Sequence, residues 1–275
     1  MRSTRTGQSV DHGIRAVKRA IAILRAFSPS DPELSVTDFS GKLSLHKSTV
    51  HRLLATLESE GFVLRDPQSG RYRLGLPLLE LGSLVTANLE LRRVARSYLE
   101  NANGICGETV HLGILDQGEV VYIDKIDSTR RLRMHSQVGG RAPAHCTGLG
   151  KMLLAALPAA ALDQIIQQRG LRAYTDRTLT SPDALRNELA IIRQQGYAVD
   201  CGENEELVRC AAAPVIDHTA RVVAAVSIAT VGVDIESPRF KEYIELVLKI
   251  GKDISEDLGH GRAALAGERE RKLPD

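Results

Sequence analysis

Residues Ser35–Leu74 read SVTDFSGKLSLHKSTVHRLLATLESEGFVLRDPQSGRYRL. This stretch predicts a short helix, a turn of three to four residues, a longer helix and a basic hairpin, in that order. In the longer helix, predicted over His46–Leu57, apolar residues recur at steps of three and four residues and therefore share one face, namely Val50, Leu53, Leu54 and Leu57. The order of elements is typical of a winged helix-turn-helix, which places its second helix in the major groove of DNA.

Helix signals lie on both sides of the longer helix. Ser35 or Thr37 is suited to cap a short helix over Thr37–Leu43. Gly61 follows the longer helix, at a place where a left-handed C-terminal cap is common. A further helix is predicted upstream, ending before Pro29. Its apolar stripe consists of Val17, Ile21, Leu24 and Phe27.

The hairpin and the start of the longer helix supply the predicted DNA contacts. Phe62–Arg65 and Arg71–Leu74 are predicted as two short strands, and Asp66–Gly70 between them has turn chemistry. Arg52 is suited to bond a guanine through two hydrogen bonds. The full predicted set is Lys47, Ser48, Thr49, His51 and Arg52 on the helix, with Arg65, Arg71 and Arg73 on the hairpin.

The distribution of charge agrees with a partner that carries phosphates. Residues 1–75 hold 12 Lys or Arg against 7 Asp or Glu, a net charge of +5, although the whole chain carries only +2. Double-stranded DNA attracts such a basic segment through counterion release. The alternative interpretations are an ordinary helical domain with solvated polar faces, or a winged helix that binds protein.

Length and composition limit the class of protein. The 275 residues suggest two domains, and 43% apolar with 25% charged residues is ordinary for packed domains. The longest apolar run, Met152–Leu162, is shorter than the roughly 20 residues that a membrane helix needs, so no membrane partner is expected. Residues 1–13 lack the apolar core of a signal peptide and are predicted to be a disordered basic arm, which favours a cytoplasmic protein.

Cysteine and histidine spacing gives no cofactor signal. The four cysteines form no CxxC pair, so neither a zinc ribbon nor a disulfide framework is expected. His111, His135 and His145 with Cys146 match no standard metal-ligand spacing. The segment around Gly148–Lys151 resembles a phosphate loop only superficially. We therefore expect no metal and no cofactor.

The second half of the chain predicts an α+β fold with a mainly antiparallel sheet. From Glu108 the apolar period changes to two, which indicates a hairpin through Asp116-Gln117-Gly118, and Leu132–Val138 is predicted as a third strand. Helices are predicted at Gly150–Leu157, Leu162–Gln168 and Pro182–Gln195, and strands at Val208–Ile216 and Val222–Thr230, before a C-terminal helix. The predicted division is a DNA-binding domain over 14–75, a linker helix over 76–96, a second domain over 97–260 and a polar tail over 261–275.

Specific segments of this chain resemble the IclR family of bacterial transcriptional regulators over about Val17–Leu258. They are KSTVHRLLATLESEGFV (47–63), RYRLG (71–75), GETVHLGIL (107–115), EVVYIDKI (119–126), RAPAHCTGLGKMLLA (141–155), LRNELAIIRQQGYAVDCGENEELVRCAAAPVID (185–217) and VVAAVSIA (222–229). The resemblance implies that the first domain binds double-stranded operator DNA as a dimer. It also implies that the second domain has a GAF-like fold, binds a small-molecule effector and assembles a homodimer or homotetramer.

The same resemblance implies where the effector binds. Family members line their pocket with positions that correspond here to Met134, Ala142, Gly148, Leu149, Asp200, Val208, Cys210, Ser227 and Ala229. Backbone N–H groups before a helix that begins near Lys151 would favour an anion. Asp200 can accept a hydrogen bond from a ligand hydroxyl, although its charge would repel a carboxylate unless burial raises its pKa. A small organic acid, hydroxylated or aromatic, is therefore the expected class of effector.

Two departures from the family pattern affect the predicted pocket. Members that bind small keto acids often have Ser at Ala229 and Leu at Arg131. The structural alternative is that Cys210 and Met134 are plain core residues, that Ser227 bonds backbone and that Asp200 pins a turn. The alternative function is a thiol-dependent hydrolase that uses Cys146 or Cys210 and carries an appended winged helix. We expect a regulator, most simply a repressor of a catabolic operon, and not an enzyme.

Overall fold

A computed structural model describes residues 14–87, 90–130 and 134–260. The chain divides into two compact units, Met1–Asn88 and Leu89–Asp275. Three features of the sequence interpretation lie outside the described residues, namely the basic arm over 1–13, Arg131 and the polar tail over 261–275. No helix of the described ranges combines the length and the apolar character that crossing a membrane requires.

The first unit is a winged helix-turn-helix, as the sequence predicts. Its elements are α1 (Arg15–Arg25), α2 (Val36–Leu43), α3 (Lys47–Ser59), β1 (Val63–Arg65), β2 (Tyr72–Leu74) and α4 (Pro77–Ala87). Strands β1 and β2 pair antiparallel, and Leu34 adds a two-bond bridge to Tyr72 beside them. The wing therefore has one more extended segment than the sequence pattern indicates.

Local chemistry fixes the helix boundaries around the turn. Ser35 caps α2 in a capping box, in which its hydroxyl accepts the Asp38 N–H and the Asp38 carboxylate accepts the Ser35 N–H. Ser44 adopts a left-handed conformation with φ 52°, which redirects the chain from α2 into α3. Gly61 has φ 74° after α3, as a left-handed cap requires.

The core of the first unit corrects the predicted apolar stripe of α1. The fully buried residue of α1 is Ile23, which was not predicted, and Leu24 and Phe27 are half-buried against the same core. Val17 and Ile21, which were predicted to pack, are 52% and 46% exposed. The reason is that only the side of α1 that carries Ile23 meets the core of Leu34, Phe39, Val50, Leu54, Val63 and Tyr72.

The second unit is α+β, which confirms the predicted class. Its elements are α5 (Glu90–Cys106), β3 (Thr109–Asp116), β4 (Glu119–Ile126), β5 (Arg141–Pro143), α6 (Gly148–Ala155), α7 (Ala159–Arg169), α8 (Pro182–Gln195), β6 (Ala198–Cys201), β7 (Val208–Ile216), β8 (Val222–Val231) and α9 (Pro238–Asp257). The six strands form one antiparallel sheet in the order β5-β4-β3-β8-β7-β6.

The sheet separates two cores. Helices α5 and α9 pack on one face through residues such as Leu99, Phe240 and Val247. Helices α6 and α8 pack on the other face through residues such as Leu154 and Leu189. The start of α6 therefore lies directly on the central strands, where it shapes the candidate site.

The structure corrects two predicted elements and adds one. Residues 134–138 form no strand, because the ammonium of Lys125 donates hydrogen bonds to the carbonyls of Met134 (2.9 Å) and Ser136 (2.6 Å), and the third strand forms instead at β5. Helix α6 begins at Gly148 and not near Lys151, because the Thr147 hydroxyl caps it by accepting the Gly150 N–H. Strand β6, which pairs with β7, was not predicted.

Candidate functional site

The exposed side of α3 carries the predicted base-reading residues. Lys47, Ser48, His51 and Arg52 are exposed, and Thr49 is half-buried. His46 caps the helix, since its Nδ1 lies 2.8 Å from the Ser48 hydroxyl and accepts the Ser48 N–H. These side chains form one polar surface, while Val50 and Leu54 anchor the opposite face in the core.

The three predicted wing arginines are exposed but differ in their contacts. The Arg65 guanidinium lies 5.8 Å from the centroid of the Tyr72 ring. Arg71 donates a hydrogen bond to the Glu33 carbonyl (2.8 Å) and lies 3.5 Å from the Asp38 carboxylate, so its side chain also braces the first unit. Arg73 is exposed on β2.

A groove between α1 and α3 contains basic residues that the sequence interpretation missed. Arg15 and Arg19 of α1 line it together with Arg52 and Thr49 of α3. Its volume is about 470 Å³. The charge count over 1–75 includes these arginines, but the sequence pattern alone could not place α1 beside α3.

A small cavity in the second unit collects most of the predicted effector-binding residues. Its volume is about 60 Å³, and we call it the inner cavity. Eight of the nine predicted residues line it, namely Met134, Gly148, Leu149, Asp200, Val208, Cys210, Ser227 and Ala229. Ala142 does not, because it lies on β5 beside Val120 and packs into the core under α6.

Close packing of α6 on the sheet forms one wall of the inner cavity. A Cβ on Gly148 would lie 2.9 Å from the Cys210 Sγ, and a Cβ on Gly150 would lie 2.2 Å from the Ala144 carbonyl oxygen. Glycine at both positions therefore allows the first turn of α6 to pack against β7 and against Ala144, which lies just before the helix. Close packing therefore accounts for the glycines of the TGLGK segment, and a phosphate-binding role is not needed to explain them.

Six lining residues were missed by the sequence interpretation. They are His111, Tyr122, Ser136, Thr147, Asn204 and Glu205. His111 of β3 and Ser227 of β8 are register partners, and the rings of His111 and Tyr122 lie 5.0 Å apart between centroids. The alternation of β3 already puts His111 on the face opposite Val110 and Leu112, which is the signal that could have found it.

His111 is a neutral polar group of the inner cavity. Its Nε2 lies 2.7 Å from the Ser136 hydroxyl. Burial, with a contribution from the nearby Lys125 ammonium, lowers the pKa of His111 to about 3. The imidazole is therefore uncharged at neutral pH and offers hydrogen bonds without a cation.

Asp200 is the buried acid of the inner cavity and is 2% exposed. Burial raises the pKa of its carboxyl to about 7, and the nearby Glu203 carboxylate acts in the same direction. One oxygen, Oδ1, accepts the Glu203 N–H at 2.8 Å. Asp200 thus pins the turn after β6, and its carboxyl also borders the inner cavity.

Ser227 presents a hydroxyl to the inner cavity. It is 1% exposed on β8. Its Oγ lies near the Cys210 thiol, a weak hydrogen-bonding group, and has no conventional hydrogen-bond partner among the described residues. A buried hydroxyl without such a partner is costly, so a ligand group that bonds it would gain binding free energy.

A buried ion cluster lies behind Asp200. The Lys151 ammonium, 1% exposed, donates to the Glu203 carboxylate at 2.5 Å and to the Glu188 carboxylate at 2.9 Å. The Glu203 Oε2 atom has no hydrogen-bond partner in the described part of the chain. Lys151 therefore balances the buried Glu203 carboxylate and the half-buried Glu188 carboxylate.

The cysteine chemistry does not favour the thiol hydrolase. Burial raises the pKa of both the Cys146 and the Cys210 thiols to about 12, so neither thiol ionises at neutral pH. The Cys146 thiol lies 3.8 Å from the Asn204 Oδ1, and an amide oxygen cannot act as a general base. Across the described ranges, no group of three or more His, Cys, Asp or Glu residues is arranged to hold a metal ion.

Comparisons with family models cover most of the chain. Residues 16–67 match the model described as the IclR helix-turn-helix domain. Residues 83–256 match the model described as the C-terminal domain of the bacterial transcriptional regulator IclR. The two matched ranges contain the winged helix and the inner cavity, respectively.

Curated relatives agree with these matches over nearly their whole length. The HTH-type transcriptional regulator XynR of Escherichia coli (strain K12) is 39% identical over 247 residues, which are 90% of this chain and 98% of the relative. The HTH-type transcriptional regulator KdgR of Dickeya chrysanthemi is 36% identical over 247 residues, which are 90% of this chain and 81% of the relative. Both are named as regulators.

Solved structures share the fold. The IclR structure from Thermotoga maritima is 34% identical with a TM-score of 0.71, covering 89% of this chain and 98% of that one. An IclR homologue from Microbacterium hydrocarbonoxydans, solved in complex with 4-hydroxybenzoate, is 26% identical with a TM-score of 0.78, covering 88% of this chain and 98% of that one.

The geometry and the comparisons lead to one class of protein. A winged helix exposes a basic helix face, a second unit encloses a polar inner cavity, and the matched relatives are transcriptional regulators. The protein is a ligand-responsive, DNA-binding regulator, and the thiol hydrolase is not favoured. The chain belongs to the IclR family of bacterial transcriptional regulators.

Proposed function

We propose that the inner cavity binds a small hydroxylated organic acid and that this binding changes the affinity of the winged helix for an operator. The protein then acts in the cytoplasm as a repressor of a catabolic operon for that acid. The observation that carries the proposal is the buried hydroxyl of Ser227, which has the weakly bonding Cys210 thiol as its neighbour and faces the same small cavity as the buried carboxyl of Asp200.

The chemistry of the inner cavity supports a hydroxyl as the group that is recognised there. Asp200 can accept a hydrogen bond when ionised and donate one when protonated, and its pKa of about 7 makes both forms accessible near neutral pH. Ser227 and His111 add neutral donors and acceptors. The apolar side chains of Leu149, Val208 and Met134 complete a site of the composition that small ligands favour.

The charges of the inner cavity argue against polyanions. Its charged lining residues among those described are both acidic, Asp200 and Glu205. A phosphorylated metabolite or a dicarboxylate would bring two negative charges to this lining without a cation. The volume also limits the ligand, because about 60 Å³ corresponds to about four water molecules.

We further propose that α3 reads bases in the major groove, with Lys47, Ser48, Thr49, His51 and Arg52 as the contacting residues. The wing residues Arg65, Arg71 and Arg73 contact the DNA backbone. In a homodimer, two copies would read half-sites roughly 34 Å apart. The exposed Val17 and Ile21 of α1 and Leu84 of α4 supply apolar surface for contacts between copies, in a homodimer or homotetramer.

The test separates ligand binding from DNA binding. Thermal-shift and calorimetric titration of the full chain with the small hydroxy acids glycolate, glycerate and lactate should detect at least one ligand, since a bound ligand raises apparent stability by mass action. Ser227→Ala should lower the affinity for that ligand at least tenfold. Cys106→Ala, which removes a thiol that does not line the inner cavity, should leave its affinity unchanged.

The DNA half of the proposal uses the same protein samples. Duplexes selected from a randomised library by the wild-type chain should bind with an affinity that falls steeply with salt. The ligand found by titration should change that affinity in the wild type and not in Ser227→Ala. A ligand that binds at full strength to Ser227→Ala would remove the inner cavity as its site.

A further inference from the structure

A second cavity adjoins the inner cavity on the far side of Met134. Its volume is about 210 Å³, and we call it the outer chamber. Met134 and Ala229 line both spaces. The remaining residues of the outer chamber are Glu108, Thr109, Ser128, Arg130, Thr230 and Val231.

Met134 is a wall that the two spaces share, because it lines both of them. The Lys125 ammonium holds the backbone here, because it bonds the carbonyls of Met134 at 2.9 Å and Ser136 at 2.6 Å. The thioether side chain has three rotatable bonds and adapts readily to its surroundings. A change of its rotamer can therefore join the two spaces without a movement of the backbone.

The charged residues that line the outer chamber are Glu108 and Arg130, and Arg239, outside the lining, also contacts Glu108. A single oxygen of Glu108, Oε1, lies 3.0 Å from Arg130 Nε and 3.4 Å from Arg239 Nη2, and it also accepts the Tyr243 hydroxyl at 2.9 Å. Two guanidinium groups share one carboxylate, so this cluster carries a net charge of +1. The charged residues of the inner cavity, Asp200 and Glu205, are acidic.

The two charge environments suit the two ends of one ligand. An acid whose hydroxyl lies beside Asp200 keeps its carboxylate away from that acidic lining if the molecule extends past Met134. The carboxylate then meets Arg130, whose guanidinium is 46% exposed and forms bidentate pairs with carboxylates readily. Thr109, Ser128 and Thr230 also line the outer chamber.

We propose that the effector site continues past Met134 into the outer chamber, and that the effector is a hydroxy acid with its hydroxyl and carboxylate at opposite ends. The hydroxyl binds beside Asp200 and Ser227, and the carboxylate binds Arg130. This inference rests on the proposed function, because it assumes that the inner cavity receives the hydroxyl end.

The experiment uses pairs of ligands in which a neutral group replaces the carboxylate. Calorimetric titration of the full chain compares 4-hydroxybenzoate with 4-hydroxybenzamide, and gluconate with sorbitol. In at least one pair the wild type should bind the acid at least tenfold more tightly than the neutral partner. Arg130→Gln should reduce that preference to less than twofold while the affinity for the neutral partner stays constant.

Matched variants control for general effects of the substitutions. Arg141→Gln removes another half-exposed arginine of the same unit, which pairs with Asp116 and Glu119, and it should keep the full preference for the acid. Arg130→Lys should keep part of it, because the positive charge remains. Met134→Ala should bind the preferred acid at least threefold more tightly than Met134→Leu, because leucine keeps the side-chain volume between the inner cavity and the outer chamber and alanine does not.

The outcomes separate this inference from the proposed function. If glycolate, glycerate or lactate binds through Ser227 while neither long hydroxy acid binds, the extended site is wrong and the proposed function stands. A preference for the acid that survives Arg130→Gln in a folded protein also overturns the extended site. If no acid of either set binds the wild type, the proposed function fails and this inference fails with it.

Discussion

The sulfur of Cys210 occupies the space in which a side chain on Gly148 would begin, since an added Cβ at residue 148 would lie 2.9 Å from that sulfur. Cys210 lies on β7 and Gly148 is the first residue of α6. The contact therefore sets how closely the helix approaches the sheet, and both residues line the inner cavity.

This contact predicts the effect of Gly148→Ala. The added methyl group must displace either Cys210 or the first turn of α6, so we expect a loss of about 1–3 kcal/mol in the free energy of unfolding. Urea unfolding measures the loss. Adding Cys210→Ala should recover most of it, because the smaller side chain makes room for the new methyl group.

Gly104→Ala is the matched control for this substitution. Gly104 lies within α5, and a Cβ there would have no neighbour within 4 Å. Alanine is preferred over glycine inside a helix, so this variant should gain about 0.5–1 kcal/mol. Equal losses in Gly148→Ala and Gly104→Ala would show that the contact with Cys210 does not cause the effect.

The raised pKa of Asp200 predicts how stability depends on pH. Burial raises this pKa from 3.8 to about 7, so the folded protein retains a proton that the unfolded chain has released. The unfolded state binds fewer protons between about pH 4 and pH 7, and the contribution of Asp200 to the free energy of unfolding therefore falls as the pH rises through this interval.

Asp200→Asn should remove that contribution. The free energy of unfolding of the variant minus that of the wild type should rise by on the order of 4 kcal/mol from pH 4 to pH 8, because each pKa unit corresponds to about 1.4 kcal/mol. Urea unfolding at these two values measures the difference between the proteins. Parallel pH dependence of the two proteins would mean that Asp200 ionises with an ordinary pKa.

Local sequence patterns predicted most of the elements, and Pro182–Gln195 and Val208–Ile216 form as predicted. The strand predicted at Leu132–Val138 does not form in its described part, because the side chain of Lys125 on β4 donates hydrogen bonds to two of its carbonyls. The resemblance placed eight lining residues together, and the alternation of β3 could have added His111, but Tyr122 needed the register of β3 with β4. The outer chamber could not be predicted, because it depends on side chains brought together from several elements.

The ion cluster behind the inner cavity predicts a large effect for Lys151→Met. Removing the ammonium leaves the carboxylates of Glu203 and Glu188 without their buried cation. We expect a loss of about 3–5 kcal/mol, which urea unfolding at neutral pH measures. The double variant Lys151→Met/Glu203→Gln should be more stable than the single variant, because it removes the stranded charge. A double variant that loses stability further would contradict this account.

Arg52 and Arg73 are predicted to contribute to DNA binding in different ways. Arg52 is exposed on α3, where side chains reach base edges, so Arg52→Ala should lower affinity for the selected duplex by about 1–3 kcal/mol and relax sequence preference.

Arg73 is exposed on the wing, so Arg73→Ala should weaken binding to all duplexes alike and reduce the slope of affinity against salt concentration by about 1. Lys252→Gln, an equal change of charge on α9, should alter neither property. Fluorescence anisotropy over a range of salt concentrations, with the selected and a scrambled duplex, measures both quantities. Unchanged sequence preference in Arg52→Ala would remove this residue from base recognition, and an unchanged salt slope in Arg73→Ala would remove the wing from backbone contact.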